Sequence, residues 1–364
     1  MEIVFILNGI SQPRCLKRIK EFIDNGYTVK VYGFDRHDGV KNNPGFPIIT
    51  IGEMQNRVYS HRFKTMWRGL KRVFNSTDKK NSVYYLFGLD NVLFSKLLCP
   101  RIKYIFEESD LRHVELKSSF LRNTLELLDR SIIKKSLMTV FTSDGFVKYH
   151  FDGKRPENTY TIPNRLDEKI LECNLQPAKP IDMNRLSIGF VGGIRYKSIM
   201  FFAEHFSKTY PQHEFHFFGS FKTKEAEEKS VDLKKLPNCY FHGAFESTVE
   251  LPAIYSQIDM VLSTYDIDNI NVRYAEPNKL YESIYFETPI IVSKGTFLAD
   301  KVKDMNVGYA INALDENDID SFIKNLTKED LEGKIDSIRK YDKMIAISKN
   351  PEFFEKLRTK LQEK

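Results

Sequence analysis

The sequence predicts an α/β protein of two doubly wound domains, each a parallel sheet covered by helices, facing each other across a cleft. Three observations lead there. Short apolar runs bounded by glycine or Asn-Gly alternate with segments of helical spacing. The alternation lapses around 170–186, a stretch with two prolines and no periodicity, and then restarts. Finally, 364 residues exceed what one core of roughly 150–200 residues organises.

In order, Ile3–Leu7 reads as a buried strand closed by Asn8-Gly9. Leu16, Ile19, Phe22 and Ile23 mark a helix over Pro13–Asn25, stopped by Gly26. Further strands are expected at Thr28–Tyr32, Ile48–Ile51, Val83–Phe87, Tyr104–Phe106 and Met138–Thr142. After the break come Leu186–Val191, Phe215–Phe218, Tyr240–Phe241, Met260–Ser263 and Ile290–Ser293, the first two followed directly by glycine and the third leading to Gly243. A charged helix with Phe353, Phe354, Leu357 and Leu361 ends the chain. The expected divisions are 1–176, 177–342 and a terminal helix over 343–364.

Hydrophobic residues at 41% and charged residues at 29% exclude a disordered or fibrous chain. Four scattered cysteines form neither a disulfide framework nor a zinc spacing and suit a reducing compartment. No apolar run approaches the ~20 residues that span a bilayer, and the chain opens on a strand, so a cytoplasmic location is expected. The net charge of +6 is mild and no nucleic-acid motif accompanies it.

Parallel sheets bind ligands beyond the carboxyl ends of their strands, so the loops there are the candidates. In Glu276–Glu287, EPNKLYESIYFE, Pro277 suits a first helical position and a helix Asn278–Phe286 follows. Its N-terminus favours a phosphate, and Glu282 could accept two bonds from a vicinal diol. A surface helix with solvated glutamates satisfies the same spacing. The segment resembles the donor-site helix of group-1 (family 4) glycosyltransferases of the GT-B type, with their Pro-Asn-Lys-(Leu/Phe)-(Tyr/Phe)-Glu signature. The IGFVGGIRYKS turn, the FHGAFESTVELPAIYSQIDMVLS segment and IPNRLD extend the resemblance along the chain.

The resemblance implies the GT-B fold of two Rossmann-like domains, with the terminal helix crossing back onto the first. It implies transfer of a sugar from a nucleotide sugar, a UDP-sugar in this reading, to a lipid-linked saccharide acceptor in capsular or lipopolysaccharide biosynthesis, with retention and without a bound metal. Glu282 is then the ribose ligand; Pro277, Asn278, Lys279 and Leu280 build the donor helix, and Gly193, Gly219, His242 and Gly243 line the donor site. The sequence departs from the family at Tyr274, where a first glutamate often stands, and in the close spacing of Arg195 and Lys197. A nucleotide-sugar epimerase and a non-catalytic binding scaffold are the rival readings, the second kept open by Tyr274.

Arg195 and Lys197 follow the glycine turn, where two cations could stabilise a departing diphosphate; a plain turn with solvated side chains is the alternative. Gly9 sits in the first domain's corresponding turn. Glu108 and Asp110, after the strand at 104–106, could orient an acceptor hydroxyl or take its proton, or begin a capped helix. Asp266-Ile267-Asp268 reads as a loop rather than a metal-binding Asp-x-Asp, and no histidine pair has ligand spacing. In Arg57–Lys80, Tyr59, Phe63, Met66, Trp67, Leu70, Val73 and Phe74 share one face. Arg62, Lys64, Arg68, Lys71 and Arg72 are interleaved. That is the pattern of a helix on an anionic membrane surface, or of a helix packed on the sheet with a solvated basic face.

Overall fold

The computed structural model describes residues 1–36, 44–54 and 59–362, with backbone only at 59–61 and 247. Two compact units divide them, Met1–Ile162 with Asn350–Lys364 and Pro163–Lys349.

In the first unit the order is β1 (Glu2–Leu7), α1 (Pro13–Asp24), β2 (Thr28–Asp35), β3 (Ile49–Glu53), α2 (Tyr59–Ser76), β4 (Ser82–Phe87), α3 (Leu89–Leu98), β5 (Tyr104–Glu108), α4 (Ser119–Lys135), β6 (Met138–Phe141), α5 (Asp144–Phe151) and β7 (Thr159–Thr161). The strands form one parallel sheet in the order β3-β2-β1-β4-β5-β6-β7. Because side chains alternate across a strand, the near-continuous apolar runs serve two faces. Ile3, Phe5, Leu7, Val83, Tyr85 and Phe87 pack with Ile19 and Phe22 of α1, while Tyr84 meets Phe74 of α2 at 5.1 Å between ring centroids.

The second unit runs β8 (Ser187–Val191), α6 (Lys197–Thr209), β9 (Glu214–Phe218), α7 (Lys224–Leu233), β10 (Cys239–Gly243), α8 (Ser247–Tyr255), β11 (Met260–Ser263), α9 (Ile270–Tyr274), α10 (Lys279–Tyr285), β12 (Ile290–Ser293), α11 (Phe297–Met305), β13 (Gly308–Ile311), α12 (Glu316–Asn325) and α13 (Lys328–Arg339). Its parallel sheet has the order β10-β9-β8-β11-β12-β13. Phe190, Phe215 and Phe217 face Phe202 and Phe206 of α6. Val261, Ile290 and Val292 face Leu280 and Ile284 of α10 and Leu298 of α11.

The last helix, α14 (Pro351–Gln362), completes the first unit. Phe353, Phe354 and Leu357 are buried against α1, with Phe354 5.1 Å from Phe22. The units divide after Ile162 and after Lys349, not at 176 and 342 where composition changes. Leu166 pairs with Ile347 in a parallel bridge, and Ile170 is buried beside Tyr281 and Tyr285. Residues 174–186 do lack helix and strand, but they lie inside the second unit.

Candidate functional site

In the second unit the chain runs outward from β8 to β9 and β10, then returns to β11 on the opposite side of β8. The carboxyl ends of β8 and β11 are therefore a switch point, the place where such sheets open a crevice. The turns after β8, β9 and β10 stack tightly there. Gly192 donates its N–H to Phe218 O at 2.7 Å, and Gly219 donates to Gly243 O at 2.7 Å. Gly192 and Gly219 have φ of +132° and +140°. A Cβ on Gly219 would lie 1.8 Å from the Gly192 carbonyl oxygen, so no other residue fits. Gly193 is hemmed in by Lys222, whose Cγ would stand 2.9 Å from an added Cβ.

Arg195 and Lys197 leave this turn exposed. They line a cavity of about 340 Å³ with Met200, Phe201, Glu225 and Lys229, and the Arg195 guanidinium lies 4.9 Å from the Tyr196 ring. The adjoining N-terminus of α6 is already satisfied. Asp266 accepts from Lys197 N at 3.0 Å and Ser198 N at 2.9 Å. The Asp266–Asp268 segment is the loop the sequence suggests, and its first carboxylate is a helix cap. Proximity in sequence gives no sign of that bond, which joins residues 69 apart.

The helix expected over Asn278–Phe286 spans Lys279–Tyr285, and all seven of its residues are buried. That removes the reading as a solvated surface helix. It also removes the dipole argument, since fewer than two turns carry little macrodipole. Side chains define the site instead. Glu282, 3% exposed, accepts from Tyr255 Oη at 2.6 Å and from Asn278 Nδ2 at 2.5 Å. Burial raises its carboxyl above the usual range; nearby Lys279 and the Tyr255 bond pull the other way. Lys279 is buried over the Phe190 ring at 5.1 Å, and its Nζ would lie 3.0 Å from a Cβ on Gly192. A buried ammonium and a buried carboxylate thus stand one turn apart beside the glycine turn. Tyr255 carries no sequence signal for its role, being an apolar-face residue 27 positions from its partner.

Glu276 is committed elsewhere. Its Oε1 accepts from Lys301 Nζ at 2.8 Å and from the Tyr281 hydroxyl. Pro277 caps the turn by accepting from Leu280 N at 3.3 Å. Leu280, expected in the donor helix, is fully buried and its side chain packs in the core with Val292 and Leu298. His242 is exposed on β10, stacked on Phe218 at 4.2 Å and 3.0 Å from His216 Nδ1 through its Nε2. Gly243 follows with φ +83°.

In the first unit, Asn8 Nδ2 donates to Phe87 O at 2.8 Å and ties the ends of β1 and β4 together. At Gly9 a Cβ would meet only ordinary contacts, 3.6 Å or more away. Consecutive residues of a strand point to opposite faces, and Glu107 and Glu108 do so. Glu107 is fully buried and bonded by Arg18 Nε at 3.0 Å and the Tyr85 hydroxyl, with Arg14 Nε at 3.3 Å. Glu108, expected to act on an acceptor, is 1% exposed and held by His150 Nε2 at 3.0 Å. Burial pushes Glu108 up to about 8 and the neighbouring Asp129 to about 7, and pushes His150 down to about 4. The partner of this carboxyl is His150 on α5, and the faces of α4 and α5 that enclose it were not legible as a pair. Asp110 is half-exposed, 3.7 Å from Arg112 and bonded by Ser109 Oγ at 3.3 Å.

On α2, Met66, Leu70, Val73 and Phe74 are buried, but Phe63 and Trp67 are 57% and 37% exposed. They share the exposed surface with Lys64, Arg68, Lys71 and Arg72. Arg62 is taken by Asp90 at 3.3 Å. Arg57 and the Tyr59 side chain lie outside the described residues. No described helix is long and apolar enough to cross a membrane.

Residues 190–358 match the model of the glucosyltransferase 3-like C-terminal domain. No curated protein matches the chain by sequence. Sucrose-phosphate synthase from Thermosynechococcus elongatus has the same fold, at TM-score 0.73 and 12% identity over 100% of both chains. Anabaena HepE, solved in complex with UDP-glucose, superposes at TM-score 0.69 and 12% identity over 100% of both. The lipopolysaccharide outer core galactosyltransferase WaaB superposes at 0.63 and 13%, over 100% of this chain and 99% of that one. Over its full length the chain has the GT-B fold of these structures, and its residues 190–358 are similar to the glucosyltransferase 3-like C-terminal domain. Its glucosyltransferase 3-like domain begins within β8 and takes in the glycine turn, Lys279 and Glu282.

Proposed function

We propose that this protein is a glycosyltransferase that transfers a sugar from a UDP-sugar to a lipid-linked saccharide during assembly of a surface polysaccharide, at the inner face of the plasma membrane. The observation that carries the donor half is the buried Glu282–Lys279 pair beside the Gly192 turn. Glu282 is bonded by neutral donors, Tyr255 and Asn278, so its charge remains available for ribose hydroxyls. Lys279, Arg195 and Lys197 gather positive charge where the diphosphate would sit, and the UDP-glucose complex of HepE, on the same fold, supports a uridine donor. As the sugar–phosphate bond breaks, negative charge grows on the diphosphate and these cations stabilise it. A retaining course follows from the family resemblance. There the leaving diphosphate takes the acceptor's proton on the same face and no bound metal enters the step. Asp110, half-exposed, is left as the acceptor-orienting carboxylate.

Incubation with a panel of nucleotide sugars, with and without lipid-linked acceptors, tests the reading. Transfer or slow hydrolysis of one UDP-sugar supports it. Interconversion of the donor sugar without acceptor would make the protein an epimerase, and binding without turnover a scaffold. Arg195→Ala should lower kcat by about tenfold to a hundredfold with little change in KM, because its charge acts on the transition state.

The exposed Phe63 and Trp67 among Lys64, Arg68, Lys71 and Arg72 support attachment to anionic lipid. The protein should sediment with anionic vesicles at low salt, detach at high salt and give a blue-shifted Trp67 emission. Glutamate at 68, 71 and 72 should abolish sedimentation while nucleotide binding persists; equal sedimentation of that variant would reject the surface.

A further inference from the structure

The first unit holds a polar cluster that the transfer reaction does not use. Glu108 ends β5, Asp129 lies on α4 and His150 on α5, and their ligand atoms fall within 4.8 Å of one another. All three side chains are buried, Asp129 completely. His113, also fully buried, brings Nδ1 to 3.3 Å from Asp129 Oδ2 without hydrogen-bonding geometry. Its Nε2 is fixed by the Tyr149 hydroxyl at 3.1 Å, which in turn reaches Glu126 at 3.3 Å.

With both carboxyls ionised, hydrogen bonding does not account for this cluster; a proton on one of them would bond Glu108 to Asp129. Both oxygens of Asp129, Nδ1 of His113 and Nδ1 of His150 are buried without a hydrogen-bond partner among the described residues. Buried polar atoms are nearly always satisfied, and several orphans in one place mean an occupant. Two carboxyls removed from water must be neutralised by a cation or a proton, and among the described residues their recorded side-chain partners are histidines, with no arginine or lysine bonded to either.

We propose that Glu108, Asp129 and His150, with His113 as a fourth donor, bind a structural divalent transition cation of the zinc class. Zinc takes carboxylate oxygens and imidazole nitrogens at about 2.0–2.2 Å in a tetrahedron, which sets ligand atoms roughly 3.3–3.5 Å apart. The Glu108–His150 contacts of 3.0 and 3.1 Å and the His113–Asp129 contact of 3.3 Å are close to that spacing. The Tyr149 and Glu126 contacts supply the outer support that orients a ligating histidine. Full burial marks a closed structural site, joining β5, α4 and α5. The competing occupant is a proton shared by the two carboxyls.

The whole protein would be purified without chelator and its metal content measured by mass spectrometry. It would then be unfolded with chelator and refolded with Zn²⁺, with Co²⁺ or with no metal. About one equivalent of metal, a higher melting temperature with Zn²⁺ and visible tetrahedral Co²⁺ bands support the site. Asp129→Asn should lose both the metal and the Zn²⁺-dependent stabilisation, while His242→Gln, which removes the exposed histidine pair, should keep them. The wild-type Co²⁺ spectrum decides should Asp129→Asn fail to fold. A metal-free protein whose melting temperature ignores Zn²⁺ and Co²⁺ would assign the cluster to a proton, and metal retained by Asp129→Asn would place it elsewhere; either result overturns the proposal.

Discussion

Each unit sets two glutamates near the carboxyl end of its sheet, and the partners differ in kind. In the first unit Glu107 is held by the guanidinium of Arg18, with Arg14 nearby, and Glu108 by His150. In the second unit Glu282 is held by a phenol and an amide. Glu276, which also meets Lys301, stands between the two cases. A carboxylate neutralised by a buried cation is part of the scaffold, because its charge is spent within the fold. One bonded by neutral donors, with its nearby cation Lys279 not hydrogen-bonded to it, is oriented without being locked in an ion pair, and a ligand can use it.

The largest effect expected from this contrast is on stability. Arg18→Met leaves Glu107 buried with a weaker set of partners, and breaking such a pair costs about 3–5 kcal/mol. Urea denaturation should register that loss, with UDP affinity unchanged while the protein is folded. A loss under about 1 kcal/mol would mean that Arg14 alone satisfies Glu107.

The converse is expected of Glu282. Glu282→Gln keeps the shape of the site but removes the charge and leaves one accepting oxygen, so that either Tyr255 or Asn278 must turn to accept from the new amide. UDP affinity measured by calorimetry should fall about tenfold to a hundredfold, as for loss of a charged hydrogen-bond acceptor, with the melting temperature little changed. Unaltered affinity would refute the ribose assignment.

Tyr255→Phe should produce the smallest change. It removes one bond to Glu282, at about 1 kcal/mol. The Tyr255 bond holds the Glu282 carboxyl down against burial, so its loss raises the group further. Binding that needs the ionised carboxylate should then begin to fail at a higher pH as pH is lowered. Coincident pH profiles of affinity for the wild type and the variant would show that the phenol does not tune the carboxylate.

Local chemistry made much of this legible beforehand. The apolar runs at Ile3–Leu7 and Val83–Phe87 could only be buried strands, and the glycines at 192 and 219 could only be turns. Both follow from periodicity and from φ values that side chains forbid. The Pro277–Glu282 signature likewise singled out Glu282. The direction of each side chain was less legible. Trp67 and Met66 are neighbours on one apolar-and-basic helix, yet packing on the sheet buries only Met66.

The sequence by itself determined two parallel-sheet units, their strands other than β7 and β13, and the glycine turns, because each of these depends on residues within a few positions of one another. Only the tertiary structure decided that Leu280 packs in the core, that Asp266 caps α6, that Tyr255 holds Glu282, and that Glu108 turns inward to meet Asp129 and His150. These contacts join residues from 12 to 69 positions apart in the chain, whose meeting is set by strand order and helix packing. No local pattern encodes that order, so the charge state and purpose of each buried carboxylate come from the assembled fold.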